Sequence, residues 1–297
     1  NMALAEGDGA HSHGIFRVAG LLSSLRSDWV DGRAEPVIED VAPGMIRADG
    51  RNGFSLTVLA EARDMLMAKA RANGVALLTI RNGHHFSAVW PDVEPFARDG
   101  FVALAMINSM ANVVPYGGHR AVYGTNPLAF AAPREAGDPL VFDQASSALA
   151  NGDVQIAARE GRQLPPGYGV DRDGQPTTDP KVVLDGGALL PFGGHKGSSI
   201  AMMMEIMGAA LAGGDFSYEN DLADHPGATT PHGGQTYILI DPARGALRSF
   251  TARLDALLAE IEAGGQARLP GDRRYARRRE SQANGIEISA AALAELR

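Results

Sequence analysis

The chain has 297 residues, with 27 lysines and arginines against 35 aspartates and glutamates, a net charge of −8, 45% apolar residues and 21% charged ones. That balance belongs to a folded globular chain and excludes a disordered polymer, a coiled coil or a broadly basic nucleic-acid binder. Cysteine is absent, which excludes disulfides, zinc–thiolate sites, iron–sulfur clusters and thiol nucleophiles together.

Apolar spacing gives the elements in chain order. Ile15, Val18, Leu21, Leu22 and Leu25 repeat with a helical period and predict a helix over Gly14–Arg26. Leu56, Leu59, Ala62, Leu66 and Ala70 line one face of a second helix over Ser55–Asn73, which Asn73-Gly74 ends. Val75–Ile80 reads as a buried strand, followed by a polar loop from Arg81 to Ser87. Further strands are expected at Phe101–Asn108, Leu128–Ala132 and Leu140–Phe142. Leu164–Pro180, rich in proline and glycine, reads as loop. Gly197–Leu211 is apolar nearly all round and is expected to be a central helix whose methionines pack in the core. Gly213–Gly234 reads as loop, Thr236–Ile240 as a strand, and Ser249–Glu262 as an amphipathic helix. Arg268–Arg279 is a basic, proline-opened segment, and Ser289–Leu296 is expected to be a short terminal helix. No apolar run approaches the roughly 18 residues that span a bilayer. Asn1–Gly9 lacks a basic stretch followed by an apolar one, so no secretory signal is expected and the chain is assigned to the cytoplasm without a membrane partner.

Neither a strand-borne G-x-G-x-x-G nor a G-x-x-x-x-G-K-[ST] motif occurs. Gly193-Gly194-His195-Lys196-Gly197 opens the apolar helix, and reads either as a phosphate cradle or as an ordinary glycine-rich helix start. His11-Ser12-His13-Gly14 with Arg17 offers an imidazole, a hydroxyl able to orient it and a guanidinium one turn away. A solvated turn capped by Ser12 is the plain alternative. A metal site from His11, His13, His84 and His85 lacks a carboxylate at suitable spacing, and no metal is expected.

Singly these motifs are weak, but their order carries a resemblance. His11-Ser12-His13-Gly14-Ile15-Phe16-Arg17, Asn82-Gly83-His84-His85-Phe86, Gly124-Thr125-Asn126-Pro127, Asp143-Gln144-Ala145-Ser146-Ser147, Pro176-Thr177-Thr178-Asp179-Pro180 and Pro191-Phe192-Gly193-Gly194-His195-Lys196-Gly197 resemble the type 2 malate/L-lactate dehydrogenase family from Gly9 onward. Within it, His84-His85-Phe86-Ser87-Ala88, Trp90-Pro91-Asp92 and the Asp143–Ser147 variant are most similar to the Δ1-piperideine-2-carboxylate/Δ1-pyrroline-2-carboxylate reductases. The resemblance implies a non-Rossmann α/β fold with a largely antiparallel cofactor-binding sheet and a helical substrate region. It implies an NAD(P)H-dependent homodimer, with both subunits serving each site, that reduces cyclic ketimine carboxylates. The expected division is 1–100 for an N-terminal helical substrate region, 101–230 for a cofactor-binding domain, and 231–297 for a C-terminal region that supplies a cofactor loop.

Carried onto this sequence, the resemblance and the chemistry together give the expected roles. Arg17 anchors the substrate carboxylate and Thr125 hydrogen-bonds the substrate. His13 is the proton donor, positioned by Ser12 and Asp153, the last standing where many family members carry lysine. The cofactor is expected at His85, Phe86, Ser87, Ala88, Asp143, Gln144, Ala145, His195 and Lys196, and at the loop Arg268, Leu269, Pro270, Gly271, Asp272, Arg273 and Arg274. Six arginines between Arg268 and Arg279, in an acidic chain, favour NADPH over NADH, with its 2′-phosphate at Arg268, Arg273 or Arg274. Asp272 opposes that reading at close range. The rival readings are an open-chain 2-oxo acid dehydrogenase on the same scaffold and a non-catalytic ligand-binding homologue.

Overall fold

A computed structural model describes residues 1–288 and Leu293, so most of the expected terminal helix Ser289–Leu296 lies outside the described residues. The chain opens with α1 (Met2–Gly7), two 3-10 turns at His11–His13 and Ile15–Arg17, and α2 (Val18–Arg26). Then come β1 (Val37–Ala42), β2 (Met45–Phe54), α3 (Ser55–Asn73), β3 (Val75–His84), α4 (Trp90–Arg98), β4 (Val102–Ile107), β5 (Leu128–Ala132) and β6 (Leu140–Gln144). After α5 (Asn151–Glu160) the short elements β7 (Gly169–Val170), β8 (Pro176–Thr177), α6 (Pro180–Leu184) and β9 (Ala188–Leu189) lead to α7 (His195–Glu205). The chain continues through a π-helical turn at Ile206–Ala210, β10 (His232–Ile240), α8 (Pro242–Gly245), α9 (Phe250–Ala263) and α10 (Asp272–Asn284).

One seven-stranded sheet, ordered β1-β2-β3-β10-β4-β5-β6, organises the molecule, and only its β2–β3 pair is parallel. The expected α/β fold with a largely antiparallel sheet is therefore observed. Strands of the spans 1–100, 101–230 and 231–297 all lie in this sheet, because β10 inserts between β3 and β4. The core packs α3 and α4 on the sheet through Val58, Ala62, Leu66, Val93 and Phe96 against Ile46, Leu78, Ile80, Ala105 and Tyr237. On α3, Val58 is buried whereas Leu56 is only half-buried, so the buried stripe is shifted slightly from the one expected. Gly74 ends α3 in the left-handed region, at φ 84°.

Several expectations are corrected by tertiary packing. The expected 14–26 helix begins as two 3-10 turns, because Gly14 takes φ −92° and ψ −137° and breaks the helical path. A Cβ on Gly14 would also lie 2.1 Å from Glu6 Oε2. The polar 81–84 stretch continues β3 rather than forming loop, since His232 and Gly233 of β10 pair with His84 and Gly83. The 164–180 loop contains β7 and β8, which form a three-stranded sheet with β9. The helix expected to be central exposes Met202 (47%), Met203 (42%) and Ile206 (52%), while Met204 is buried. Two of its four methionines therefore face outward in the single chain. Among the described residues no helix is long and apolar enough to cross a membrane.

Candidate active site

A cavity of about 920 Å³ opens between the N-terminal turns, the start of α4, the end of β6, α5 and the start of α10. A smaller one of about 120 Å³ shares His13, Arg17, Ser87, Thr125, Pro127 and Asn151 with it and is also lined by Phe86, Met110 and Pro231.

The 3-10 turn folds His13 back beside Ser12, whose Oγ shares a 3.1 Å hydrogen bond with His13 Nδ1. Arg17 Nε donates to Ser12 O at 2.7 Å, which fixes the guanidinium plane beside that pair. The N-terminus of α5 comes close because residue 152 is glycine: a Cβ there would stand 2.7 Å from Arg17 Nη2 and 2.9 Å from Ser12 O. Burial, then the charge of Arg17, then His85 lower the His13 pKa to about 4, so its imidazole is neutral at neutral pH. Burial also lowers the pKa of Arg17, and Asp153 opposes that shift. Asp153 lines the large cavity, yet its carboxylate makes no hydrogen bond to Ser12 or His13. Its electrostatic partner is Arg17.

Thr125 is held from behind. Its carbonyl accepts from Ser146 N (2.8 Å) and Ser146 Oγ (3.0 Å). Next to it, Asn126 takes φ 33° and donates through Nδ2 to the buried Glu205 Oε1 at 2.7 Å. Glu205 also accepts from Ser217 N at 3.0 Å, so one carboxylate of α7 ties this turn to a second loop.

Asp143 Oδ2 accepts from Val89 N (2.8 Å) and Trp90 N (3.0 Å) at the start of α4. Burial raises its pKa, against the pull of those two amides. His85 Nε2 lies 2.8 Å from Asp92 Oδ2, which also accepts from Tyr237 Oη at 2.8 Å, so this imidazole is locked into the core. At the other end of the large cavity Arg274 stacks on Trp90, its guanidinium carbon 4.2 Å from the ring centre. Its Nη1 is buried without a hydrogen-bond partner among the described residues, and exposed Arg273 lines the cavity beside it.

The sequence matches the malate/L-lactate dehydrogenase family over residues 1–297. The chain belongs to this family. The Delta(1)-pyrroline-2-carboxylate/Delta(1)-piperideine-2-carboxylate reductase of Pseudomonas syringae pv. tomato is 59% identical over 296 residues, covering 100% of this chain and 86% of that protein. The enzyme of the same name from Pseudomonas putida is 55% identical over 289 residues, covering 97% of this chain and 85% of that protein. The crystal structure of Δ1-piperideine-2-carboxylate reductase from Pseudomonas syringae superposes with a TM-score of 0.97 at 59% identity, covering 100% of this chain and 89% of that one.

In this malate/L-lactate dehydrogenase family member, the expected site residues fall into two groups. Ser12, His13, Arg17, Thr125, Asp153, Ser87, Ala88, Asp143, Gln144, Ala145, Arg273 and Arg274 line the large cavity, and His85 and Phe86 line the small one. His195 and Lys196 line neither. They are exposed at the start of α7, beside a separate cavity of about 400 Å³ lined by Tyr116, Gly193 and Gly194. Gly197 has a packing reason to be glycine, since a Cβ would lie 1.9 Å from Phe192 O. Leu269, Pro270 and Asp272 line a separate cavity of about 160 Å³, and Arg268 is exposed and lines neither that cavity nor the two site cavities. Gly271 takes φ 93° to start α10. Asp272 Oδ2 accepts from Leu269 N at 2.8 Å, so its carboxylate is spent on the turn. Arg278 is bound by Asp8 and Glu94, and Arg279 by Asp138, and neither lines the large cavity.

The histidines weighed as metal ligands diverge: His84 bonds Asn52 Oδ1 and Thr230 Oγ1, whereas His85 bonds Asp92. Among the described residues no group of three or more histidines and carboxylates is arranged to hold a metal ion. The sequence motifs give no role to Glu205 or Gly152, and Asp92 enters them only as part of Trp90-Pro91-Asp92. For Glu205 there was a signal, a single carboxylate inside an otherwise apolar helix.

Proposed function

We propose that this protein reduces cyclic ketimine carboxylates, Δ1-piperideine-2-carboxylate to L-pipecolate and Δ1-pyrroline-2-carboxylate to L-proline, with NADPH, as a cytoplasmic homodimer. The observation that carries the reading is the small cavity in which Arg17, His13 and Thr125 converge beside the apolar side chains of Phe86, Ile107, Met110, Pro127 and Pro231. A fixed guanidinium suits a carboxylate, and apolar lining suits the methylenes of a small ring. The names of the relatives at 59% and 55% identity support the same substrates.

The large cavity fits a nicotinamide dinucleotide. It leads from His13 to Arg273 and Arg274, where Nη1 of Arg274, without a hydrogen-bond partner among the described residues, offers a donor for a phosphate oxygen. When bound, the nicotinamide supplies the hydride. Arg17 holds the substrate carboxylate, with its plane set by Ser12 O, and Thr125 offers a hydroxyl to the substrate. His13, neutral at neutral pH, accepts a hydrogen bond from a protonated ring nitrogen and so orients the C=N carbon. If the ring nitrogen arrives unprotonated, the imidazole must first be charged. A carboxylate seated at Arg17 favours this by offsetting the cation that lowers the His13 pKa. Ser12 and Asp153 act with His13 as one positioning unit, Ser12 by direct contact and Asp153 through Arg17.

The homodimer is supported by the outward Met202, Met203 and Ile206 of α7. It also gives His195 and Lys196, which line neither site cavity of their own chain, a route to the cofactor of the other. A steady-state panel tests the function: both cyclic ketimines, pyruvate and oxaloacetate, each with NADPH and with NADH. The expected result is a kcat/KM for the ketimines with NADPH that exceeds every other combination. Preferred turnover of the open-chain acids would replace this reading with a 2-oxo acid dehydrogenase. NADPH binding without turnover of any would leave a ligand-binding homologue.

A further inference from the structure

Arg17, Gly20 and Ser24 stand at i, i+3 and i+7, on one face of α2 and the residue that caps it. Arg17 reaches the small cavity. Ser24 Oγ accepts from Thr229 N (2.9 Å) and Thr230 N (3.2 Å) and donates to Gly20 O (2.9 Å), so it ties a remote loop across the helix. That loop brings Thr229 and Pro231 into the cavity wall.

Between the anchor and the tie stands Gly20. A Cβ at this position would lie 2.6 Å from Thr229 Oγ1 and 3.1 Å from Phe86 Cζ. Both neighbours line the small cavity of about 120 Å³, and the Phe86 ring centre lies 5.8 Å from the Arg17 guanidinium carbon. Gly20 does not take a positive φ and sits inside a helix, where glycine is less favourable than alanine by about 1 kcal/mol. The backbone therefore has no need of glycine here. What the missing methyl supplies is room for Thr229 and Phe86 to stand back from the cavity.

We infer that Gly20 determines the ring size the site accepts: by leaving space for Thr229 and Phe86 outside the substrate's path, it admits the six-membered ketimine as well as the five-membered one. This rests on the ketimine reading above. A methyl at residue 20 drives the Thr229 side chain and the Phe86 ring toward the cavity, and the larger ring carries the extra methylene that meets them. One methylene in a tight pocket is worth roughly 10-fold or more in kcat/KM.

The test measures kcat/KM for both ketimines in the wild type, Gly20→Ala, Gly20→Ala/Thr229→Ala and Thr229→Ile, with thermal unfolding alongside. Gly20→Ala should lower the ratio of six-ring to five-ring kcat/KM by about 10-fold. The double variant should bring that ratio back near the wild-type value. Thr229→Ile adds bulk at the same point while leaving the sequence of α2 unchanged and should shift the ratio the same way, which keeps the test decisive even if Gly20→Ala folds poorly. An unmoved ratio in the single variants, in an enzyme that turns over both rings, overturns the inference and leaves the function intact. A shifted ratio that Thr229→Ala does not restore also overturns it, because the methyl then acts elsewhere. A wild type that reduces neither ring defeats the functional reading, and this inference with it.

Discussion

At the residue scale the site is built on one backbone contact, Arg17 Nε to Ser12 O at 2.7 Å, that spends one donor of the guanidinium to aim the rest. Lysine cannot copy a planar fork held at one edge. Arg17→Lys should therefore raise KM for the ketimine and lower kcat/KM by the equivalent of about 2–4 kcal/mol, the range for a charged hydrogen bond lost from a buried partner. An unchanged kcat/KM would remove Arg17 from substrate binding. His13 is expected to matter in the chemical step. His13→Ala should cut kcat by roughly 10²–10⁴ while NADPH binding, read by fluorescence titration, stays near normal. Ser12→Ala and Asp153→Asn should each cost less. Adding either to His13→Ala should cost little more, since a unit is lost only once. Additive losses would show that Ser12 and Asp153 work independently of the imidazole.

At the scale of elements, the start of α10 is where the two halves of the basic segment part company. Arg277, Arg278 and Arg279 pair with Glu280, with Asp8 and Glu94, and with Asp138, so that stretch fastens α10 to α1, α4 and the end of the loop before β6. One turn earlier, Arg273 and Arg274 face the large cavity. The double variant Arg273→Ala/Arg274→Ala should lose most of the preference for NADPH, lowering kcat/KM with NADPH by 10-fold or more, as expected for charge-assisted contacts of about 1.5–3 kcal/mol each. Turnover with NADH should change far less. A variant that keeps its NADPH preference would move the phosphate site elsewhere, and Arg268, exposed and away from the cavity, is not where the geometry would send it.

For the whole molecule, two imidazoles carried neutral into the fold link stability to pH. His13 is lowered to about 4 by burial, Arg17 and His85, and His84 to about 3 by burial and the facing His232. Trp29, Asn52 and Thr230 also pack on His84, and none of them supplies a negative charge to stabilise a protonated ring. In the unfolded chain both rings protonate near the ordinary value of 6.5, so the unfolded state binds more protons below that pH. Their stabilising effect is full above about 6.5 and is lost as pH falls toward 4, at up to about 1.4 kcal/mol per pH unit for each ring. Urea midpoints should accordingly fall between pH 6.5 and pH 4, and His84→Gln should flatten that slope. A slope unaffected by the substitution would assign acid sensitivity to other groups.

The sequence by itself determined where α3, β4 and α9 lie, because helical spacing or a continuous apolar run marks each of them locally, although on α9 only Leu258 of the apolar stripe is buried. It also determined, by the order of short motifs, which family the chain belongs to and which polar residues gather at the cavity. Only the tertiary structure decided how those residues divide. His195 and Lys196 are expected with the cofactor residues yet do not line the cavity of their own chain, and Leu269 to Asp272 build the turn while Arg273 and Arg274 face the cavity. The same holds for β10, whose insertion between β3 and β4 depends on strand pairing across more than a hundred residues and leaves no local trace. The roles of Gly152, Glu205 and Asp92 are likewise set by what lies against them in space. A glycine's missing methyl or a buried carboxylate has meaning only once its neighbours are in place.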